Sequence, residues 1–278
     1  MPSTTDALQQ ALTKLKAVLL SLASERRIRI AYSGGLDSRF LAFFAASCGL
    51  QVELLHARAG QISARESEDA LARAREIGLM VRVVPVRLPS PQVLASAGPQ
   101  RCYVCKHALF SALKNLAAEP LCDGSNASDA LAFRPGERAV RELGVHSPLA
   151  EAGLTKPMIR EAASRLGLSD PGQAARPCLM TRFDYGDAPD ERRLTLTAQA
   201  EDFLNGLREL RKGFRLRWLG RQPLLHVSAA NALSSDDLEA IRDRLIERLP
   251  ELEDVRTEVL ESLSGWFDRR RKPEAAGS

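Results

Sequence analysis

No run of the sequence approaches the ~20 uncharged apolar residues that a helix needs to cross a membrane, so we predict no membrane span. The N-terminus, MPSTTDALQQALTKLKAVLLSL, also lacks the basic start, apolar run and small-residue cleavage site of a signal peptide. Its pattern instead predicts an amphipathic helix over residues 5–25. We therefore expect the protein in the cytoplasm.

A strong charge imbalance is also missing. The 39 basic and 35 acidic residues leave a net charge of +4, which is too small an excess to indicate a nucleic-acid-binding protein. The composition is otherwise that of a folded protein, because 45% of the residues are hydrophobic and 27% are charged. It excludes disorder over most of the 278 residues, a length that suits one or two domains.

Strands and helices alternate over the first part of the chain. Strands are predicted at 27–32, 51–56, 80–86 and 120–124, and helices at 39–47, 63–77, 103–118 and 155–168. Strands separated by helices at this spacing predict an α/β fold with a Rossmann-like parallel sheet. Loops are predicted at 88–101, 125–148 and 169–190.

The pattern changes in the last third of the chain. A helix is predicted at 194–209, strands at 214–218 and 224–228, a helix at 235–248 and a last strand at 254–260. This order predicts a smaller α+β domain. The predicted organisation is an α/β domain over 1–188, a smaller α+β domain over 189–268 and a disordered tail over 269–278.

The strongest local motif is the hexamer SGGLDS at residues 33–38, between a predicted strand and a predicted helix. Gly34 and Gly35 let backbone N–H groups turn inward, and the following helix N-terminus adds a partial positive charge. Ser33 and Ser38 offer hydroxyl donors to a phosphate, and Asp37 is suited to Mg²⁺. The hexamer is neither a Walker loop nor a GxGxxG dinucleotide loop. A plain Gly-Gly turn is the alternative, but the flanking strand and helix favour a phosphate site.

Five cysteines is an odd number, and a single CxxC motif argues against a four-cysteine zinc site. Cys102 and Cys105 lie three residues apart at a predicted helix start, where they can chelate a metal or cluster or form a redox pair. With Cys178 they would leave one iron of a four-iron cluster open. Cys178 can also act alone as a nucleophile or sulfur donor, because Arg176 and Arg182 favour its thiolate. Three unrelated thiols are the remaining interpretation.

Further polar residues follow predicted strands or alternate along them. Arg215 and Arg217 alternate on the predicted strand FRLRW and therefore share one face. Their guanidinium groups repel each other unless an anion lies between them; a solvated basic face is the alternative.

Asn126, Asp129 and Arg134 follow the fourth predicted strand, and loops beyond strand ends are where α/β sheets bind ligands. A solvated surface loop is the alternative there.

The hexamer in this context resembles the loop of the PP-loop, or adenine nucleotide α-hydrolase-like, superfamily. The resemblance implies that ATP is cleaved between its α and β phosphates, with an adenylated intermediate and release of pyrophosphate. It implies that the loop holds phosphate, that the second strand meets adenine at His56 and Ala57, and that Gly124 lies near the nucleotide. Arg39 departs from the pattern, because many relatives carry a small polar residue there.

Four segments resemble the LarE family of ATP-dependent sulfur transferases in order and rough spacing, over about residues 10–220: SGGLDS, RCYVCKHALF, DGSNASDALAFRPG and RPCLMTRFDYG. The resemblance implies adenylation of a pyridinium biscarboxylic acid mononucleotide in nickel-pincer cofactor synthesis. Sulfur then replaces AMP to give a thiocarboxylate. In one branch the cysteine matching Cys178 gives up its sulfur and becomes dehydroalanine. In the other, Cys102, Cys105 and Cys178 hold a [4Fe-4S] cluster that carries the sulfur, and this chain resembles that branch.

The resemblance implies that the domain over 1–188 is an ATP pyrophosphatase domain and that the domain over 189–268 serves substrate binding or oligomerisation. It also implies roles for individual residues. The catalytic residues implied are Cys178, Asp37 and Glu201. The residues implied to bind ATP or substrate are Ser33, Gly34, Gly35, Asp37, Ser38, His56, Ala57, Gly124, Arg134, Thr181, Arg182, Arg215 and Arg217. The implied cofactors are ATP, Mg²⁺ and the cluster, and the implied partners are a small nucleotide-like carboxylate, a sulfur donor and further copies of this chain. The C-terminal segment VRTEVLESLSGWFDRRRKP departs from the family.

Two other functions share parts of this pattern. A tRNA-thiolating enzyme of the same superfamily would use similar ATP and cysteine chemistry, but the net charge of +4 counts against it. An amidotransferase-like ATP pyrophosphatase, or a purely nucleotide-binding module, would bind ATP without any dependence on iron or sulfur.

Overall fold

The structure, a computed structural model, describes residues 4–129, 135–174 and 176–271. The chain divides into two compact units: the first comprises Met1–Ser90 and Pro99–Arg176, the second Pro91–Gly98 and Pro177–Ser278. The predicted boundary lies at 188/189, whereas residues 177–188 belong here to the second unit. Phe183 accounts for this, because its ring is fully buried in the second unit's core and stacks on Trp218 with 6.3 Å between centroids.

The first unit is built around a parallel sheet. Its described strands are β1 (Arg27–Ala31), β2 (Gln51–Arg58), β3 (Val81–Pro85) and β4 (Leu121–Cys122). These four strands are ordered β3–β2–β1–β4, with Ile30 of β1 opposite both Leu54 of β2 and Cys122 of β4. The predicted α/β fold with a parallel, Rossmann-like sheet is confirmed for this unit.

Helices cover both faces of this sheet. In the first unit they are α1 (Thr4–Leu22), α2 (Leu36–Ser47), α3 (Ala64–Glu76), α5 (Arg101–Lys114), α6 (Pro135–Glu142), α7 (Pro148–Glu151) and α8 (Lys156–Arg165). Successive side chains of a strand point to opposite faces. Leu54 therefore packs with Phe40 of α2 in one apolar cluster, whereas Leu55 packs with Phe110 of α5 in another.

The second unit contains a smaller sheet with helices. Its described elements are α4 (Pro91–Ser96), α9 (Glu191–Asn205), β5 (Phe214–Leu219), β6 (Gln222–Ser228), α10 (Ser235–Arg248), β7 (Arg256–Leu260) and α11 (Trp266–Arg271). In the described chain, β6 pairs antiparallel with β5 and parallel with β7. Leu204 of α9, Leu216 of β5 and Leu245 of α10 are fully buried in its core. None of the described helices is long and apolar enough to cross a membrane.

Three predicted irregular stretches contain helices. The predicted loop 88–101 includes α4, and the predicted loop 125–148 includes α6. Both helices begin with a proline, Pro91 and Pro135, which is tolerated at the first helical position because its missing N–H would have no partner there. In the predicted disordered tail, residues 269–271 form the end of α11, whose Trp266 packs with the buried Leu224 of β6. Residues 272–278 lie outside the described residues.

Candidate functional site

The SGGLDS hexamer lies at the reversal point of the strand order in the first unit. It follows the central strand β1, and residues 123–126 follow β4 on the other side of the reversal. Such a point is where open α/β sheets bind ligands. The two segments touch, because a Cβ on Gly124 would lie 2.9 Å from the backbone nitrogen of Ser38. A side chain larger than hydrogen at residue 124 would therefore push β4 away from the start of α2.

The hexamer is a tight loop whose polar groups bond to one another. The Ser33 N–H donates to Ser38 Oγ at 3.3 Å, the Gly35 N–H donates to Ser33 Oγ at 3.3 Å, and the two hydroxyl oxygens are 3.1 Å apart. Gly34 has φ of +74°, and a Cβ there would lie 2.5 Å from Ala70 Cβ of α3. Only glycine fits at residue 34. The hydrogen bonds within the loop are long, so their N–H and hydroxyl donors can bind an anion instead.

Asp37, in the first turn of α2, is bound from two sides. Lys156 Nζ donates to both carboxylate oxygens at 2.6 Å, and Asn126 Nδ2 donates to Oδ2 at 3.4 Å. The side chains of Asp37 and Lys156 are 23% and 28% exposed. Burial raises the pKa of Asp37 above its ordinary value, and the bond to Lys156 opposes that rise. A half-buried carboxylate is the kind of oxygen donor that Mg²⁺ prefers.

Arg39 points away from the mouth of the loop. Its side chain is fully buried, and its guanidinium donates to Gln173 Oε1 and to the oxygens of Ser169. Gln173 Nε2 in turn donates to the carbonyl of Gly34 at 3.1 Å. Arg39, which departs from the superfamily pattern, therefore supports the loop through its hydrogen bond to Gln173.

The predicted adenine contacts have other partners in this structure. His56 is 1% exposed; its Nδ1 donates to the carbonyl of Tyr32 at 2.9 Å, and its Nε2 accepts from Ser67 Oγ at 3.0 Å. Burial lowers the pKa of His56, so the ring is neutral and ties β2 to β1 and α3. Ala57 is buried at the end of β2. Arg134, also predicted to bind ligand, lies outside the described residues.

The predicted cysteine ligands are divided between the two units. Cys102 and Cys105 lie in the first turns of α5, in the first unit, whereas Cys178 lies in the second, directly before the 3₁₀ turn Leu179–Arg182. None of the five cysteines, all within the described ranges, forms a disulfide. Among the described residues, no group of three His, Cys, Asp or Glu side chains could hold a metal ion. A cluster held by these three cysteines therefore stays a prediction.

Hydrogen bonds connect Cys178 to the predicted acidic residue of the second unit. The carbonyl of Cys178 accepts from Thr181 Oγ1 at 2.8 Å, and Thr181 Oγ1 accepts from Arg182 Nη1 at 2.6 Å. Arg182 Nε and Nη2 donate to Glu201 at 2.5 and 2.8 Å, and the backbone N–H of Leu216 donates to Glu201 Oε1 at 3.1 Å. Glu201 is therefore held as a partly buried anion that orients Arg182.

The two arginines of β5 face away from the core. Phe214 and Leu216 belong to the core cluster, so Arg215 and Arg217 lie on the opposite face. Arg217 Nη1 donates to Nδ1 of the fully buried His226 at 2.6 Å. Burial, followed by repulsion from neighbouring arginines including Arg182, lowers the pKa of Arg215 and lowers that of Arg217 to about 10. A cluster of three guanidinium groups around one carboxylate retains excess positive charge, which suits an anionic ligand.

Sequence reasoning missed Lys156 and Gln173. Lys156 follows Thr155, the residue before the first turn of α8, and a basic residue at a helix start is a weak signal because the helix dipole disfavours it there. Gln173 lies in a stretch without periodicity and offers no sequence signal. Asn126 was a candidate, and the structure brings it to Asp37.

Known proteins resemble this chain over about two thirds of its length, although no family model matches it. An uncharacterized protein of Synechocystis sp. is 35% identical over 187 residues, which cover 65% of this chain and 69% of that protein. An uncharacterized protein of Methanocaldococcus jannaschii is 29% identical over 197 residues, 69% of this chain and 75% of that protein. The pyridinium-3,5-bisthiocarboxylic acid mononucleotide synthase of Lactiplantibacillus plantarum is 27% identical over 201 residues, 70% of this chain and 73% of that protein.

Two of these relatives bear on the family of this chain. The Synechocystis protein passes 30% identity over more than two thirds of its length, and the named synthase matches a similar share of this chain. The chain belongs to the same family as the uncharacterized Synechocystis protein, and it is similar, at 27% identity, to the named synthase of Lactiplantibacillus plantarum.

Proposed function

We propose that this protein is an ATP-dependent sulfur transferase. It adenylates a carboxylate of a pyridinium biscarboxylic acid mononucleotide, or of a similar small nucleotide-like acid, and replaces AMP with sulfur to form a thiocarboxylate. The observation that carries the proposal is the loop at residues 33–38 with Asp37 and Lys156 beside it, in a chain related to a named bisthiocarboxylate synthase.

The loop supports binding of the ATP phosphates. The N–H and hydroxyl donors of Ser33, Gly35 and Ser38 exchange their long mutual bonds of 3.1–3.3 Å for shorter, charge-assisted bonds to phosphate oxygens. Lys156 adds a flexible positive charge at the same place. Bound Mg²⁺ would be ligated by Asp37 and would offset the charge of the departing pyrophosphate.

Adenylation prepares the substrate, because a carboxylate is a poor electrophile. A carboxylate oxygen attacks the α phosphorus, the bond to the bridging β-phosphate oxygen breaks, and pyrophosphate leaves. The acyl carbon now carries AMP as a leaving group. A sulfur nucleophile attacks that carbon, and AMP departs with the bonding electron pair.

The second unit supports binding of the substrate's phosphate. Arg215 and Arg217 share a face of β5, and Glu201 fixes Arg182 with two bonds of 2.5 and 2.8 Å. Burial, and after it repulsion between the arginines, lowers the pKa values of Arg215 and Arg217, and an anion placed among these guanidinium groups relieves the repulsion. We therefore assign the phosphate of the mononucleotide to this cluster.

Cys178 is the proposed sulfur-bearing residue. If it supplies its own sulfur, its thiolate forms a thioester with the acyl carbon and releases AMP. Removal of its Cα proton then breaks the Cβ–S bond, which frees the thiocarboxylate and leaves dehydroalanine. The other proposal is a [4Fe-4S] cluster on Cys102, Cys105 and Cys178, which is supported by the presence of all three cysteines.

Two measurements test the function. The first is ATP–pyrophosphate exchange with pyridine carboxylates as acceptors; we expect exchange in the wild type and its loss in Asp37→Asn. Absence of exchange in a folded wild type with every acceptor tried would contradict the adenylation step.

The second measurement is iron and acid-labile sulfide after anaerobic reconstitution, with an absorption spectrum. A brown wild type that loses its cluster in Cys105→Ala, but not in the control Cys48→Ala, would support the cluster. A colourless wild type that transfers one sulfur per chain and loses the elements of hydrogen sulfide from Cys178 would support the sacrificial route. Sulfur transfer that persists in Cys178→Ala would contradict both.

A further inference from the structure

We infer that Gln173, oriented by the buried Arg39, is a positioning residue that fixes the Gly34–Gly35 peptide of the phosphate loop. The inference rests on the proposed function, because it concerns how the loop receives the phosphates of ATP. It assigns a role to two residues that the nucleotide motif does not contain.

A continuous set of hydrogen bonds supports this role. Gln173 Nε2 donates to the Gly34 carbonyl at 3.1 Å, and Gln173 Oε1 accepts from Arg39 Nη1 at 3.0 Å. Arg39 Nη2 donates to the carbonyl and hydroxyl oxygens of Ser169, both at 2.7 Å. The Ser169 hydroxyl donates to Glu76 Oε2 at 2.7 Å. The amide of Gln173 therefore has one orientation, since its oxygen must face Arg39 and its nitrogen must face the loop.

The bond to Gly34 determines where the next N–H points. In a trans peptide the C=O and the N–H point in opposite directions. Gln173 holds the Gly34 carbonyl from behind the loop, so the Gly35 N–H points to the other side, where it now meets Ser33 Oγ at 3.3 Å. A glycine pair is otherwise free to rotate this peptide. A rotated carbonyl would present its negative end to the phosphate.

Burial makes this arrangement rigid. Arg39 is 0% exposed and Gln173 is 9% exposed. Burial also lowers the pKa of Arg39, which shows that its charge is poorly solvated and depends on the polar partners around it. A buried guanidinium that lost Gln173 would have to find another acceptor, so the side chains hold each other in place.

The test separates positioning of phosphate from general support of the fold. Binding of Mg²⁺–pyrophosphate, Mg²⁺–ATP and adenosine is measured by calorimetry for the wild type, Gln173→Met, Gln173→Glu and the exposed control Gln10→Met. Gln173→Met has a similar length and no charge but cannot donate to Gly34. We expect its Kd for pyrophosphate and ATP to rise about five- to tenfold, the loss of one hydrogen bond, with its Kd for adenosine unchanged.

Gln173→Glu controls for stability. Its carboxylate keeps an acceptor for Arg39, so we expect a Tm at or above that of the wild type, yet it cannot donate to the Gly34 carbonyl and the Kd for pyrophosphate still rises. Equal pyrophosphate affinity in the wild type and both Gln173 variants would overturn the inference. An equal rise in the Kd for pyrophosphate, ATP and adenosine would also overturn the inference, because such a rise indicates a purely structural role for Gln173. A wild type that binds neither ATP nor pyrophosphate would instead contradict the proposed function.

Discussion

At the scale of the residue, Asp37 depends on one lysine for its charge. The carboxylate is 23% exposed, and burial raises its pKa, which means that the surroundings disfavour the anion. Lys156 donates to both oxygens at 2.6 Å and opposes this rise without cancelling it. A Mg²⁺ ion bound at Asp37 would compete with Lys156 for the same oxygens, so the lysine and the ion are alternatives at this carboxylate.

The variant Lys156→Met tests this competition. Without the lysine, we expect the free energy of unfolding to fall by about 1–2 kcal/mol, because a half-buried carboxylate loses its counter-charge. Added Mg²⁺ should then raise the Tm of Lys156→Met more than that of the wild type. Thermal unfolding with and without Mg²⁺ measures both effects, and Arg160→Met, an exposed change on the same helix, is the control. Equal Mg²⁺ responses in the two proteins would show that Lys156 and the ion do not share Asp37.

His226 links protein stability to pH. Its ring is fully buried, Nδ1 accepts from Arg217, and Nε2 lies 3.3 Å from Glu258 Oε2. Burial, with repulsion from Arg217 and then Arg270, lowers the pKa of His226 from 6.5 to about 4. Between these two values the unfolded chain binds a proton that the folded chain does not, so the free energy of unfolding falls as pH falls through this range.

We expect this one residue to reduce the free energy of unfolding by about 2 kcal/mol when the pH is lowered from 7.5 to 5. The variant His226→Asn, which keeps an oxygen acceptor for Arg217, should lose most of that dependence. Urea unfolding at both pH values measures it, with the more exposed His146→Asn as the control. The same pH dependence in the wild type and in His226→Asn would show that the pKa of His226 is not lowered by folding.

At the scale of the element, the phosphate loop is shaped by its close approach to α3. A Cβ on Gly34 would lie 2.5 Å from Ala70 Cβ and 2.6 Å from Ala70 Cα. The second distance involves the helix backbone, so no change of side chain at residue 70 can remove the overlap. The loop therefore keeps its form only while residue 34 is glycine and α3 keeps its position.

The variant Gly34→Ala should lose about 2–4 kcal/mol of stability, the sum of a left-handed backbone strain and steric overlap with α3. It should also lose pyrophosphate binding. Ala70→Gly in the same chain should not rescue either property, because the overlap with the backbone of residue 70 persists. Urea unfolding and calorimetry measure the two effects, with Gly60→Ala, which has open space around it, as the control. Rescue by Ala70→Gly would show that the methyl group of Ala70 alone shapes the loop.

At the scale of the whole molecule, the two compact units have separate apolar cores. The cluster around Ile30 and Phe40 belongs to the first, and the cluster around Leu216 and Leu245 belongs to the second. The proposed ATP loop lies in the first unit, whereas both tryptophans, Trp218 and Trp266, lie in the second. Tryptophan fluorescence therefore reports on the unit that does not contain the loop.

We expect Mg²⁺–pyrophosphate to stabilise the first unit selectively. At about 100 times its Kd the ligand adds about 2.7 kcal/mol to the unit that binds it. Far-ultraviolet circular dichroism, which reports on both units, should show a component whose Tm rises with ligand, while the Tm from tryptophan fluorescence stays constant. Coincident transitions that rise together would show that the two units unfold as one.

Local patterns predicted much of the first unit. The helix α3 could be predicted because Ser63 and Glu66 form a capping box at its start, a signal that involves neighbouring residues only. The parallel strands followed from their apolar runs and the helices between them. The helices α4 and α6 could not be recognised from the sequence. Each begins with a proline, Pro91 or Pro135, and proline occurs both in loops and at the first position of a helix.

By itself, the sequence determined the glycine-rich loop, its position between a strand and a helix, and the cysteine and arginine candidates, because these depend on residues close together in the chain. The roles of the cysteines stay predictions. Only the tertiary structure decided which side chains surround the loop. Lys156 is 119 residues from Asp37, and Gln173 is 139 residues from Gly34. The strand order β3–β2–β1–β4 and the packing of α8 bring these groups together, and no local spacing encodes such proximity.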